Sequence, residues 1–507
     1  MLDLVRKSLA AEADEPYMDR VREQAAGLRD AAATGTLDTQ GYAIGLEMEV
    51  YAVDTEGQQS TLQELPAEVF DGDAGKELGV HNAEINTEPD PFDEDGLAAQ
   101  AAQIERRVDA ASKRAREHGA DIVLDAMWTI PPAIGSEQYL TDTRTEDGIT
   151  VATNIRADPR YVAIDNDILV HAGGTLDFSG PGATRTFPSI LFESLATSIQ
   201  PHLQIPDTDQ FPAHYNAAIR TLGPLLALST NSPFLPPDLV EEPADPADLV
   251  DRSHHELRIA VFEQSVNTTP NPKVSVPQDI DSVAQTVEQV VEDDLCAPFL
   301  REWMVEEPRD SFADEHWEFD YKRSTYWRWL RCVVGGDPVP GAGDERSVRI
   351  EYRPIPTQPT VRDVVGMQFL TVGLVRGLVE TGHPLTDLDW DRAEENFYNA
   401  AREGLEGTFH WVTAEGEHTT DRGLIFTELF DVARAGLAAG DVSEETISTY
   451  LGPIQQRWEA GMTPSIWKKA QVREGLAAGL SFGEAVTAMQ EAYIERSIST
   501  DSFAEWL

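Results

Sequence analysis

G-Y-A-I-G-L-E-M-E-V-Y-A-V-D, residues 41–54, alternates with a period of two. Tyr42, Ile44, Leu46, Met48, Val50 and Ala52 fall on one side; Ala43, Gly45, Glu47, Glu49, Tyr51 and Val53 fall on the other. Successive side chains of a strand point to opposite faces, so the pattern predicts a half-buried strand. Glu47 and Glu49 then share a face, roughly 6.5–7 Å apart at about 3.3 Å per residue. Carboxylates at that spacing repel unless water screens them or a cation lies between them. A divalent cation such as Mg²⁺ takes oxygen ligands, few of them from protein. A solvated strand face in an acidic chain is the other reading of the same residues.

The acidity is general. Among 507 residues, 89 are Asp or Glu and 39 are Lys or Arg, giving a formal net charge of -50. The acid is dispersed along the chain and Lys is scarce, a haloarchaeal-type composition suited to staying hydrated in concentrated salt. Such charge argues against a nucleic-acid or anionic-membrane partner, because phosphate binding needs a basic footprint. At 41% hydrophobic residues the chain has material for a large core. Only Cys296 and Cys332 occur, too few for a disulfide framework or a thiolate zinc site, and in keeping with a reducing cytoplasm. No apolar run approaches the ~20 residues that span a bilayer, and the first residues lack a signal-peptide core.

Three further segments repeat the opening design. V-H-N-A-E-I-N-T-E-P, residues 80–89, puts Asn82, Glu84, Asn86 and Glu88 on one face and stops at Pro89. S-I-Q-P-H-L-Q-I-P-D, residues 198–207, sets Gln200, His202 and Gln204 opposite Ile199, Leu203 and Ile205. V-R-I-E-Y-R, residues 348–353, aligns Arg349, Glu351 and Arg353 against Val348, Ile350 and Tyr352. Where bases are rare, a row of Arg and Glu is a poor candidate for surface decoration. Helical periodicity predicts helices over 94–118, 212–229, 283–299 and 361–381, and a helical pattern from 384 to the end. D-P-R-Y-V-A-I-D (158–165) and G-T-L-D-F-S-G-P-G (174–182) read as loops around short elements. Y-K-R-S-T-Y-W-R-W-L-R-C (321–332) gathers Lys322, Arg323, Arg328 and Arg331, a wall for a substrate anion or a set of salt bridges.

One antiparallel sheet with helices on its apolar face and an open, charged cavity on the other accommodates all four strands, an α+β architecture. The boundaries this suggests are a helical extension over 1–38, a sheet domain over 39–385 and a helical region over 386–507. The extension suits a docking appendage or a homo-oligomer interface. Carboxylates and a few arginines on a concave sheet are what a Mg²⁺–nucleotide site requires: carboxylates hold the metal, and Arg offsets charge on a transferred phosphoryl group. The chain has neither a G-x-x-x-x-G-K-S/T loop nor a G-x-G-x-x-G fingerprint.

G-L-E-M-E-V-Y-A-V-D resembles the G-I-E-x-E-F-x-x-V-D opening of the glutamate–cysteine ligase family, in its carboxylate–amine ligase branch. H-N-A-E-I-N-T-E-P resembles that family's Q-x-E-I-N-T strand, L-L-A-L-S-T-N-S-P-F (225–234) its L-x-A-L-S-A-N-S-P-F helix end, and V-R-I-E-Y-R-P-I-P-T-Q-P-T its T-x-E-x-R-x-x-D-x-Q-P-T strand. Order and spacing agree over roughly 42–490. The resemblance implies a glutamine-synthetase-like funnel and an ATP-dependent ligase that phosphorylates the γ-carboxylate of glutamate for attack by an amine, cysteine first among them. It implies Mg²⁺ at Glu47, Glu49, Glu84 and Glu351, Arg353 at the nucleotide phosphates with Arg349 on the same face, and a catalytic-site His202. Arg323 and Arg328 match by region only, as further anion holders. Departures concern the acceptor half: A-M-W-T-I-P-P (126–132) stands where the family has G-T-H-P, Gln200 replaces the first His of H-V-H-V-G, and Gln204 replaces its Gly. A ligase using another amine, or a non-catalytic nucleotide-binding relative, are the alternatives.

Overall fold

The 507-residue chain was analysed as a computed structural model that describes residues 1–54, 60–72, 74–306 and 308–507. Its organising strand is β1 (Ala43–Asp54), whose even-numbered side chains Ile44, Leu46, Met48 and Val50 are all buried. Among the described residues β1 belongs to a nine-stranded sheet with β2 (Thr61–Leu62), β3 (Ala74–Lys76), β4 (Asn82–Asn86), β5 (Asp90–Pro91), β6 (Asp121–Val123), β7 (Ile199–Ile205), β8 (Leu330–Val334) and β9 (Val348–Tyr352). The main order is β8–β9–β7–β1–β4–β3, and β2, β5 and β6 pair with other stretches of β1. Every pairing is antiparallel. In antiparallel ladders directly opposed residues share a face. Glu49 therefore stands opposite Glu84, Glu47 opposite Gln200 and Asn86, and Glu351 opposite both His202 and Arg331.

The helices in chain order include α1 (Asp14–Ala33), α2 (Glu94–Glu117), α3 (Pro159–His171), α4 (Phe211–Ser229), α5 (Val361–Glu380), α6 (Arg422–Ala438), α7 (Glu444–Ala460), α8 (Pro464–Ala477) and α9 (Phe482–Ser499). α2 and α5 pack on the apolar face, where Gln368 of α5 donates to the Gly45 carbonyl at 3.0 Å and to Gln100 of α2 at 3.2 Å. α5 in turn packs on α6 so closely that a Cβ at Gly436 would lie 2.0 Å from the Gly373 carbonyl oxygen. Only glycine permits that approach. One apolar cluster runs from Val5 through the sheet to Ile494, and a second, around Phe234, Trp467 and Trp506, holds α8 and α9. Among the described residues no helix is long and apolar enough to cross a membrane.

Two expectations need correction. Residues 158–165 are not a loop: they open α3, with the Asp158 carboxylate accepting from the Arg160 N–H and Pro159 in the first turn. An Asp-Pro start is a helix N-terminus signal, since proline gives up no needed donor there. The helix beginning at Val283 ends at Glu292 and does not reach Phe299. Asp293 leaves helical geometry because its carboxylate binds Lys273 at 2.5 Å and its carbonyl accepts from Lys322 at 2.6 Å. Residues 174–182 lie in a hairpin, Leu176–Gly180 with Ala183–Phe187.

At its far end the polar sheet face is closed by α8 and α9. Lys468 of α8 reaches the fully buried Asp125 at 2.5 Å, and Gln490 of α9 donates to the same carboxylate at 2.7 Å. Tyr51, two residues beyond Glu49, donates to it at 3.3 Å. Removing one member of a buried, hydrogen-bonded pair leaves the other charge unpaired, whereas removing both is far milder. Lys468→Met should lower unfolding free energy by about 3–5 kcal/mol in urea titrations at fixed KCl. The double variant Lys468→Met/Asp125→Leu should recover much of that loss, and equal losses in both would contradict this account of the carboxyl-terminal closure.

Candidate active site

The antiparallel register converts separate acidic positions into two clusters. Oxygens of Glu49 (β1), Glu77 and Glu84 (β4) lie within 4.8 Å of one another, and so do ligand atoms of Glu47, His202 and Glu351 from β1, β7 and β9. The first cluster is half-buried and holds no base of its own. Burial, then Glu193, push Glu49 up to about 7; burial, then Glu49, push Glu77 up to about 7; burial, Glu47 and Glu77 raise Glu84 well above the carboxylate range. Three crowded carboxyls that resist ionising together are the donor set a hard divalent cation relieves, because Mg²⁺ prefers oxygen ligands.

The second cluster is balanced by arginine. Arg331 grips Glu351 in two contacts, at 2.6 Å and 3.0 Å, and Arg353 adds a third at 2.5 Å. Burial would raise the Glu351 carboxyl, but Arg331 and Arg353 outweigh it and hold the group well below its usual value. Burial likewise opposes ionisation of Glu47, and His202 beside it reverses the balance. His202 Nε2 lies 3.3 Å from Glu47 Oε1, is buried, and makes no hydrogen bond among the described residues. That orphaned nitrogen, facing two carboxylates, fits a metal ligand. Arg349 Nε donates to Nδ1 of the same ring at 3.0 Å, so ligation through Nε2 requires the ring proton to move to Nδ1 and that contact to open.

A third layer joins the clusters. Gln200 accepts from Arg353 at 2.6 Å and donates to Glu49 at 3.2 Å, and the Ser198 N–H donates to Glu49 at 2.7 Å. Glu193 comes from the short turn Ile190–Leu195, which the buried Asp165 of α3 fastens through Ser189 Oγ (2.9 Å) and the Ile190 N–H (2.8 Å). Burial, then Glu77, push Glu193 up to about 8. Two cavities meet at Glu47. One, of about 180 Å³, lies toward Ala43, Gly45, His202, Gln204, Gly336 and Arg349. The other, of about 380 Å³, is walled by Glu77, Arg160, Glu193, Trp327, Arg331 and Arg353.

Of the residues singled out from sequence, Glu47, Glu49, Glu84, His202, Arg349, Glu351 and Arg353 converge here. Arg323 sits at the margin, 3.8 Å from Glu351 and bound to Asp320 at 2.6 Å. Arg328 is a correction: it precedes β8, and its guanidinium turns away to the Pro272 and Lys273 carbonyls and over the Tyr326 ring at 4.4 Å. The base that β8 delivers instead is Arg331. Glu77, Glu193 and Arg160 were missing from the sequence-based set. Glu77 carried one visible signal, an acid directly before an acidic strand. The departures from the family pattern are occupied structurally. Trp128 is fully buried, donates to the Ser194 carbonyl at 3.1 Å and packs on His81 and Tyr139. Gln204 braces the Gly41 carbonyl at 2.9 Å.

Residues 43–496 match the model of glutamate–cysteine ligase family 2. Among solved structures, the chain is similar to a glutamate–cysteine ligase from Francisella tularensis in complex with AMP, with a TM-score of 0.51, 13% identity, and coverage of 92% of this chain and 90% of that one. It is also similar to a bifunctional glutathione synthetase from Pasteurella multocida, with a TM-score of 0.50 and 14% identity over 90% of this chain and 53% of that one. At these identities the likeness is one of fold, and the expected antiparallel architecture is the shared feature. No curated protein sequence matches the chain.

The crowded carboxyls set a pH signature. Glu49 and Glu77 stand at about 7 and Glu193 at about 8, against about 4.3 for an unfolded Glu. A carboxyl raised on folding binds its proton more tightly in the native state, so its contribution is complete below about pH 4 and disappears as pH rises through 7–8. Without divalent cations, Tm should fall between about pH 5.5 and about pH 8. Added Mg²⁺ should raise Tm by an increment that grows over the same range. A flat metal-free profile, or a pH-independent Mg²⁺ increment, would contradict the assignment.

Proposed function

The chain belongs to glutamate–cysteine ligase family 2 and is an ATP-dependent carbon–nitrogen ligase, and on that premise we propose that it joins the γ-carboxylate of glutamate to an amine, cysteine in the first instance, through γ-glutamyl phosphate. The observation that carries this reading is the placement of two metal-type clusters on adjacent positions of β1, with a cavity on each side and arginines behind them. Glu49, Glu77 and Glu84 would hold one Mg²⁺, and Glu47, His202 and Glu351 a second. Bound there, the ions would offset charge on the nucleotide phosphates and the glutamate carboxylate.

The remaining work falls to the chain. Arg349 and His202 face the smaller cavity, which receives the nucleotide. Arg353, fixed between Glu351 and Gln200, is aimed to stabilise charge developing on the phosphoryl group as it moves to glutamate in the larger cavity. The amine must lose a proton as it attacks the acyl phosphate and inorganic phosphate departs. Glu193 belongs to neither metal-type cluster and lines the larger cavity, so it is the carboxylate assigned to accept that proton. Both cysteines are free and buried, as a reducing cytoplasm would leave them. The same first step with another amine is the second reading. It is favoured by Gln200, which fills a position held by a histidine in the family pattern, and by A-M-W-T-I-P-P (126–132), which lacks the family's other histidine.

In molar KCl with Mg²⁺ and ATP, ADP release should require glutamate and rise with the correct amine. Glu49→Ala should reduce it about 100-fold or more, and Arg353→Lys by about 10²–10³-fold, with circular dichroism unchanged. Unaltered turnover in folded Glu49→Ala would remove the metal assignment. Dependence on an amine other than cysteine would select the second reading.

A further inference from the structure

A base is a scarce item in this chain, 39 of 507 residues, yet three of them meet in a cleft that adjoins the larger cavity. Lys76 at the edge of β3, and Arg156 and Arg160 flanking the start of α3, line a cavity of about 450 Å³. Among the described residues none of the three forms an ion pair with a carboxylate. Two acids share the cleft. Asp158 is occupied as the cap of α3, accepting from the Arg160 N–H at 2.8 Å, and Glu64 is exposed at the rim.

The bases are held, not loose. Arg156 Nη2 donates to the Val80 and Asn82 carbonyls at 2.9 Å and 3.1 Å, and its guanidinium lies 4.4 Å from the Phe70 ring centre. Its Nε is buried without a partner. Arg160 is steadied by Ser324 Oγ at 3.1 Å, and Tyr161 donates to the Lys76 carbonyl at 3.3 Å, fastening the strand edge to α3. A fixed guanidinium presenting unused N–H groups suits a carboxylate or phosphate, and partial burial strengthens the attraction. Arg160 and Tyr161 also line the larger cavity, so the cleft continues the space assigned to glutamate and the amine.

We infer that this cleft is an anion subsite for the amine substrate, so that the preferred acceptor is an acidic amino acid or short acidic peptide carrying a carboxylate beyond its α-carboxylate. The inference rests on the ligase reading and deepens its second form, the one with an amine other than cysteine. It is consistent with the altered acceptor positions Trp128 and Gln200, and it adds a positive feature to them. A neutral acceptor would forgo the attraction of the half-buried Arg156 and Arg160 guanidiniums, which penalises it relative to the acidic one.

The test uses isosteric pairs, aspartate against asparagine and alanyl-glutamate against alanyl-glutamine, with hydroxylamine as an acceptor-independent trap for acyl phosphate. ADP release is read as kcat/KM at one fixed KCl concentration. The acidic member of a pair should be preferred about tenfold or more, and Arg156→Gln and Lys76→Gln should each cut that ratio several-fold. Hydroxamate formed with no acid preference in the wild type would overturn the subsite and leave the ligase reading intact. Inhibition by inorganic phosphate that Arg156→Gln relieves, again with no acid preference, would assign the cleft to product phosphate and overturn it equally. Neither hydroxamate nor ADP from folded protein would overturn the ligase reading and this inference with it.

Discussion

Mutual repulsion among carboxylates on one sheet face is the constraint on which the rest of this structure depends. Glu47, Glu49, Glu77, Glu84, Glu193 and Glu351 crowd a small area, and nothing about that area favours folding on its own account. What holds it together is the opposite face of the same strands. Ile44, Leu46, Met48, Val50, Ile85 and Leu203 are buried on the face that α2 and α5 cover, and a one-residue slip would expose all of them. Apolar packing on one side therefore enforces electrostatic strain on the other, and the strained side is where the proposed cations and phosphate would act.

The relief supplied by the protein is uneven. Glu351 has Arg331 and Arg353 in direct contact and is held ionised, whereas Glu49, Glu77 and Glu84 have no such partner and are driven toward their protonated forms. The first arrangement is rigid and orders guanidiniums toward transferred charge. The second is responsive, because its members would gain most from a bound divalent ion. Gln200 connects the two, donating to Glu49 and accepting from Arg353.

Much of this was legible in the sequence, for a physical reason. Period-two alternation reports which residues share a face, so Glu47 with Glu49, Glu84 with Asn86, and Arg349 with Glu351 and Arg353 could be read directly. Which faces meet is a matter of strand order, which alternation along one strand does not report. The missing residues are those placed by tertiary structure. Glu77 approaches through the short β3–β4 pairing and Glu193 through a turn fastened by Asp165, whereas Arg331 was in view as one of four bases and is singled out by its register opposite Glu351. Arg328 differs from Arg331 by only three positions, yet it lies before the strand and is captured by neighbouring carbonyls. The start of α3 was in view as Asp158-Pro159 and shows a capping signal outweighed by a short apolar run.

The central claim is that both carboxylate clusters are cation sites and that Arg349 and Arg353 face nucleotide phosphates between the two cavities. A crystal structure with Mn²⁺ and a non-hydrolysable ATP analogue tests it most directly, since Mn²⁺ reports its positions by anomalous scattering. The account predicts one ion on Glu49, Glu77 and Glu84, another on Glu47, His202 and Glu351 with the Arg349 contact opened, and the terminal phosphate beside Arg353. Nucleotide bound away from β1, or Mn²⁺ absent from the Glu49 cluster at saturating concentration, would contradict it.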